Sequence, residues 1–394
     1  MIIFSKALAD QATVWDTLRA AKESGQPMPD DMIRFSDQTK PVTMWNITRK
    51  CNLNCDHCYL DATTSTADEL ALEDGIKLID ELVDINIPIL ILTGGEPLLS
   101  RNFYAYAFHA KEVGLKTVVS TNGTLITPEV ARLLKEAAIR YVGVSLDSCR
   151  PDVHDKFRGV KGAYKRALEG LKNARDAGLK TGLRVTLNKD NWHEIPGLLD
   201  LTLKNEIPRF CLYHLVPTGR GAGIADRDVT PEQRISVLKF LAEAAMELKD
   251  QEIEILSTDS PMDGAYLLEM LKNDPEKRER VWKLLQNAGG CSAGIKVANI
   301  NHRGDVLPCH FMPDMKVGNI RENSFRDIWI ENPSSELKAL REIRSNLKGA
   351  CAECEYLELC GGCRQKAKYF KGDVFEEDPT CVVKYLKKLD EVKQ

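Results

Sequence analysis

From about residue 42 to residue 256 the chain alternates short apolar runs with longer stretches whose apolar residues recur every three or four positions. The runs are Val42–Ile47, Ile87–Thr93, Lys116–Ser120, Tyr141–Leu146, Thr181–Leu187 and Phe210–Val216. Between them lie helical patterns such as Leu72–Ile85, Pro128–Ala138, Ala163–Ala177 and Pro231–Leu248. In the first of these, Leu72, Ile76, Ile79 and Val83 are spaced as one buried helix face requires. Apolar strands joined by helical crossovers predict an α/β fold with a parallel sheet. In such a sheet, whether open or closed, the working loops follow the C-terminal ends of the strands.

The flanks read differently. Residues 1–40 are a polar extension with a weak helical pattern over Ala12–Lys22 and a turn containing Pro27 and Pro29. Residues 41–256 hold the strand–helix units, and 257–290 are a charged helical connector. From 291 to 394, cysteine, glycine and short elements dominate, so part of that domain's core has to be built on metal.

Composition narrows the class. With 54 Lys and Arg against 58 Asp and Glu, the net charge of −4 exerts no global pull on nucleic acid or an anionic membrane. The first residues have neither a long apolar core nor a small-residue cleavage site, and no run is long enough to span a bilayer. A cytoplasmic chain without nucleic-acid or membrane partners is expected. In that reducing compartment the 12 cysteines are read as metal ligands rather than disulfides. Cys149 and Cys211 stand alone and read as idle thiols; the rest cluster.

The first cluster follows the first strand: Cys51-Asn-Leu-Asn-Cys55-Asp-His57-Cys58. Three thiolates on one loop can hold three irons of a [4Fe–4S] cubane and leave the fourth iron open to a reacting molecule. A structural zinc ion, which wants four closed ligands, is the alternative these residues leave open. The C-x3-C-x2-C spacing after an apolar strand resembles the radical S-adenosylmethionine (SAM) superfamily. The resemblance extends to Gly94-Gly95-Glu96-Pro97 after the second strand, Ser120 and Asn122 at the third, Ser145 and Asp147 at the fourth, and the loop carrying Arg158. It implies a partial (β/α)6 barrel of the TIM type. It also implies that the Gly-Gly-Glu-Pro segment receives the SAM amino group. Ser145 and Asp147 would face the ribose hydroxyls, Arg158 the carboxylate, and His57 would pack near the adenine. The implied chemistry is reductive cleavage of SAM to a 5′-deoxyadenosyl radical that abstracts a substrate hydrogen.

The distal cysteines are Cys291, Cys309, Cys351, Cys354, Cys360, Cys363 and Cys381. Their order, with Val317-Gly318-Asn319-Ile320 between the groups, resembles the SPASM extension, which carries one or two auxiliary [4Fe–4S] clusters. The family's interleaving would assign Cys351, Cys354, Cys360 and Cys381 to one cluster and Cys291, Cys309 and Cys363 to another. This chain departs from the usual pattern in having two residues, Gly361 and Gly362, rather than three between the last two cysteines of the central group.

Two strand contexts narrow the substrate. Thr43-Met44-Trp45-Asn46-Ile47-Thr48-Arg49-Lys50 and Tyr213-His214-Leu215-Val216-Pro217-Thr218-Gly219-Arg220 are similar to the radical SAM enzymes of alternative heme and heme d1 biosynthesis. The resemblance implies an iron tetrapyrrole substrate, with loss of acetate side chains from didecarboxysiroheme, or of propionates in the heme d1 branch. It also implies an electron donor such as flavodoxin or ferredoxin. His214 or Tyr213 is the expected catalytic residue, only one of the two facing the lumen. Arg220 is the expected substrate-carboxylate partner, with Arg49, Lys50 and Arg303 as further basic candidates. A peptide-crosslinking maturase is the rival enzyme, and only about 40 residues precede the first strand to serve as its peptide-recognition domain. A non-catalytic iron–sulfur electron carrier is the rival of another class.

Overall fold

The computed structural model describes residues 1–9, 36–65 and 68–386. The expected Ala12–Lys22 helix and the Pro27–Pro29 turn lie outside the described residues.

Seven strands run parallel in chain order: β2 (Val42–Asn46), β3 (Leu90–Thr93), β4 (Thr117–Thr121), β5 (Val142–Ser145), β6 (Thr181–Leu187), β7 (Arg209–His214) and β8 (Glu254–Thr258). Six were expected. The seventh was missed because Glu254 breaks the apolar run; in the fold it is buried against Arg209, with N–O distances of 2.7 and 3.0 Å. A paired charge therefore occupies a core position that a hydrophobic pattern cannot register. β8 also straddles residue 256, where the barrel was expected to end.

The sheet bends into a partial barrel open on one side. Its order is β1-β8-β7-β6-β5-β4-β3-β2-β9-β10-β11. β1 (Ile2–Ile3) pairs antiparallel with β8. At the other edge β9 (Val297–Ile300) pairs parallel with β2 and continues through β10 (Asp305–Leu307) into β11 (Gly318–Asn319). The cysteine-rich region thus extends the barrel's own sheet.

Between strands and outer helices lies one continuous apolar core, including Leu92, Val144, Leu183 and Phe210. A small second cluster of Ile89, Val118 and Tyr141, with Val42 and Ile91 against it, stands apart at the N-terminal ends of the strands. The helix Leu72–Asp84 buries Gly75, Leu78, Ile79 and Leu82, while Leu72 is exposed. Its buried stripe is rotated from the expected one because the Tyr106 ring lies against Gly75, where any Cβ would overlap it. Among the described residues no helix is long and apolar enough to cross a membrane.

Candidate active site

The loop after β2 is tied down on every side. The Cys51 amide donates to Thr63 O at 2.8 Å, Asn54 N to Arg158 O at 3.0 Å, Asp56 N to Phe157 O at 3.1 Å, and Arg220 N to Cys58 O at 3.0 Å. The loop's thiols are themselves solvated by N–H groups. Leu53 N lies 3.4 Å from Cys51 Sγ, Ala62 N 3.3 Å from Cys58 Sγ, and Arg158 Nη1 3.6 Å from Cys55 Sγ. Burial, with Glu96 and the neighbouring thiols adding, pushes the Cys51 pKa up to about 11. Coordination to iron would remove that proton outright. Among the described residues no three Cys, His, Asp or Glu side chains converge on one point as a single ion demands. A cubane instead asks each thiolate to reach its own iron, and donors aimed at the sulfurs suit that group.

Gly94 and Gly95 carry the end of β3 directly against this loop. Gly95 N donates to Thr48 O and Glu96 N to Lys50 O, each at 2.8 Å, and a Cβ at either glycine would overlap those carbonyls. Glu96 is fully buried. Its carboxylate accepts from Thr121 Oγ1 (2.8 Å), Asn122 N (2.9 Å) and Leu98 N (3.2 Å), while burial pushes its pKa up to about 7. Pro97 opens the short turn that follows. Asn122 Nδ2 donates to Asn52 Oδ1 at 2.8 Å, beside Cys51.

Asp147 was expected at a ribose, but its carboxylate is enclosed. One oxygen accepts from Thr186 N at 2.9 Å and the other is paired with Arg158 at 2.6 Å. It therefore holds the arginine in place. Ser145 ends β5 half-buried and faces the barrel interior. His57 stacks on Phe157, ring centroids 4.4 Å apart, with a buried Nδ1 that has no protein partner. Burial pushes its pKa down to about 3, so the ring is neutral and offers an unused polar edge.

The distal cysteines separate into two sets. Cys309 lies within electrostatic reach of Cys291 and Cys363, Cys360 within reach of Cys381 and Cys351, and Cys351 within reach of Cys354. Gly361 and Gly362, both at positive φ (65° and 64°), turn the chain from Cys360 in one set to Cys363 in the other. The Asp378 carboxylate accepts the Cys363 amide at 2.8 Å and a Cβ at Gly362 would lie 2.7 Å from Asp378 Cβ.

Residues 45–202 match the family model described as the radical SAM superfamily, and residues 291–355 match SPASM, an iron–sulfur cluster-binding domain. The Fe-coproporphyrin III synthase of Methanosarcina barkeri is 38% identical over 97% of this chain and 97% of its own length. The chain belongs to the radical SAM superfamily. This radical SAM protein binds SAM and a [4Fe–4S] cluster, and its SPASM domain binds auxiliary iron–sulfur clusters. It is also 35% identical to the pre-heme d1 synthase of Dinoroseobacter shibae, over 87% of this chain and 86% of that one. Its fold is that of Streptococcus suis SuiB bound to the precursor peptide SuiA, at a TM-score of 0.72 and 18% identity, covering 93% of this chain and 86% of the other.

The expected substrate-side residues of this radical SAM protein are placed unevenly. Tyr213 faces the lumen. His214, its neighbour on β7, faces outward and is buried, with Nε2 2.8 Å from Asp263 and Nδ1 against Arg234. Strand alternation gives the lumen to one of the two, so His214 is a core residue in a charged network that continues through Asp228 to Lys366. Arg220 is spent largely on the cluster loop: Nε donates to Cys55 O at 2.9 Å, and Nη1 reaches Ala62 O and Asp61. Arg49 is paired with the same Asp61 at 3.0 Å, the Lys50 backbone forms a β-bridge with Thr63, and Arg303 lies 3.8 Å from Asp68.

Sequence reading missed Arg184, on β6 and therefore also in the lumen. It bonds Tyr213 Oη through Nε at 2.8 Å and also contacts Ser120 Oγ. The signal was available: Arg184 is the one charged residue inside the apolar run Thr181–Leu187. Beside it, Tyr59 meets His310 and Phe311 edge-on at 5.0 and 5.7 Å.

Proposed function

We propose that this protein removes the two acetate side chains of didecarboxysiroheme to leave iron-coproporphyrin. The observation that carries the reading is the end-to-end match to Fe-coproporphyrin III synthase. Bound cluster and SAM together supply a one-electron cleavage that generates a hydrogen-abstracting radical. The chain's own residues supply position. Cys51, Cys55 and Cys58 hold the cluster, the Gly94–Pro97 edge receives the SAM amino group, and Arg158, fixed by Asp147, receives its carboxylate. Ser145 and the neutral His57 ring flank the nucleoside, with Ser120 and Asn122 at the neighbouring strand end.

The aromatic group Tyr59, His310 and Phe311 gives a planar macrocycle a wall to pack on. Cys351, Cys354, Cys360 and Cys381 hold one auxiliary cluster and Cys291, Cys309 and Cys363 a second. A small donor such as flavodoxin or ferredoxin supplies the electron.

The test is anaerobic incubation of reconstituted protein with dithionite, SAM and didecarboxysiroheme, followed by mass spectrometry. Formation of 5′-deoxyadenosine with loss of both acetate groups supports the reading. Nucleoside formation with an unchanged tetrapyrrole sinks it and moves the substrate to a heme d1 precursor.

A further inference from the structure

Arg184 is a cation placed deep in the barrel and bonded to no carboxylate. Its hydrogen-bond partners are the neutral hydroxyls of Tyr213 and Ser120, and its guanidinium lies 4.6 Å from the centroid of the Tyr213 ring. Among the described residues no carboxylate stands within ion-pair distance of it. Two of the nearby acids supply no charge, and the third, the Asp259 carboxylate, lies beyond ion-pair distance. Burial pushes the Tyr213 phenol well above its ordinary range and the Cys211 thiol up to about 11. Isolated burial of a guanidinium is costly, and such a group gains most when a counter-ion arrives.

The sequence makes room for this side chain. Gly143 on the neighbouring strand leaves the room through which the Arg184 side chain passes, and a Cβ there would lie 2.6 Å from Arg184 Cδ. Arg184 pairs in register with Ser145, the strand end proposed for the SAM nucleoside. A second group with an unsatisfied atom lies near Arg184. Asp259, just past β8 and at a φ of +66°, has a buried Oδ2 without a hydrogen-bond partner, within electrostatic reach of both Arg184 and Tyr213. A donor fork bonded only to neutral hydroxyls and a carboxylate oxygen without a hydrogen-bond donor lie near one another without bonding. That arrangement suits a ligand bearing both acidic and hydrogen-donating groups, such as a carboxylic side chain beside a pyrrole rim.

We propose that Arg184 receives a carboxylate of the substrate inside the lumen, the one on the side chain that lies beside SAM and is removed. Tyr213 and Ser120 hold the guanidinium in place until that carboxylate enters. This assignment rests on the tetrapyrrole reading above and names the side chain that reading leaves unplaced. Arg220 gives Nε and Nη1 to the cluster loop, while its buried Nη2 has no hydrogen-bond partner.

The experiment is an anaerobic absorption titration of the reconstituted holoenzyme with didecarboxysiroheme and, separately, with the product iron-coproporphyrin, which lacks the acetates. Arg184→Met should weaken binding of the substrate by about tenfold or more, the size of a lost charge-assisted bidentate contact, and binding of the product by less than about threefold. Arg184→Lys keeps the charge and should recover part of the loss. Equal weakening by Met and Lys, or equal loss for substrate and product, overturns the assignment. If Arg184→Met loses iron or fold, the substrate-to-product ratio for Arg184→Lys decides: a ratio unchanged from wild type overturns it. Wild-type protein that fails to bind didecarboxysiroheme overturns this assignment and the tetrapyrrole reading together, whereas wild-type binding that Arg184→Met leaves intact overturns this assignment alone.

Discussion

Asp147 and Arg158 form a buried ion pair at 2.6 Å, and the same guanidinium lies 3.6 Å from the sulfur of Cys55. One carboxylate therefore sets the position of a cation that touches the cluster loop. Asp147→Asn keeps the shape but removes the charge. It should raise the KM for SAM by about tenfold while total iron stays unchanged, since a hydrogen bond to a charged group contributes about 1.5–3 kcal/mol. Initial rates of 5′-deoxyadenosine formation against SAM concentration check this; an unchanged KM would show that Arg158 does not meet SAM.

Replacing Cys51, Cys55 or Cys58 by Ala should abolish SAM cleavage and remove about four irons per chain, the content of one cubane. The distal cysteines sit on separate elements beyond residue 290, so their iron should persist. Iron analysis with electron paramagnetic resonance of the reduced variants distinguishes this from collapse of all sites together.

His214→Ala leaves Asp263 and Arg234 buried without their shared partner. Breaking such a network costs about 3–5 kcal/mol, so the unfolding midpoint should fall by several degrees. Activity per folded, iron-loaded molecule should stay within about threefold. A selective collapse of kcat at normal stability would instead return His214 to the chemistry.

His154 is buried, accepts the Asp147 amide at 3.1 Å, and is held neutral, its pKa pushed down to about 4 by burial. Between pH 4 and 6.5 the unfolded chain binds the proton that the folded one refuses. Stability from this group is full above pH 6.5 and is lost as pH falls towards 4, on the order of 3 kcal/mol in all. His154→Asn should flatten that part of the profile. Denaturant midpoints at successive pH values, compared with wild type, measure it.

Gly362→Ala should strain a left-handed position (φ +64°) and drive a Cβ into Asp378, which holds the Cys363 amide. Loss of auxiliary iron with retention of the Cys51 loop cluster is expected. Iron content after reconstitution reads the difference.

The positions of six strands, the cluster loop and the glycine-rich edge were legible because each is local. A thiol triplet within eight residues, or two glycines before Glu96, keeps its meaning whatever the rest of the chain does. The seventh strand was hidden by the Arg209–Glu254 pair, since a buried charge looks like a surface residue until its partner, 45 positions away, is known. The buried face of helix Leu72–Asp84 was misjudged for a similar reason: Gly75 carries no hydrophobic signal, yet Tyr106 fills its place.

Sequence by itself placed the three thiols of the first cluster, because they are neighbours in the chain, and the resemblance of their spacing to the radical SAM superfamily implied the cofactor chemistry. Sequence also determined the parallel architecture, through the alternation of apolar runs with amphipathic stretches. Only the tertiary structure decided which polar residue faces what. Adjacent residues on β7 point to opposite sides of the sheet, so Tyr213 joins Arg184 in the lumen while His214 disappears into the core. Whether an arginine is free to meet a substrate depends on which carbonyls and carboxylates other strands bring to it, and those long-range partners are set by packing.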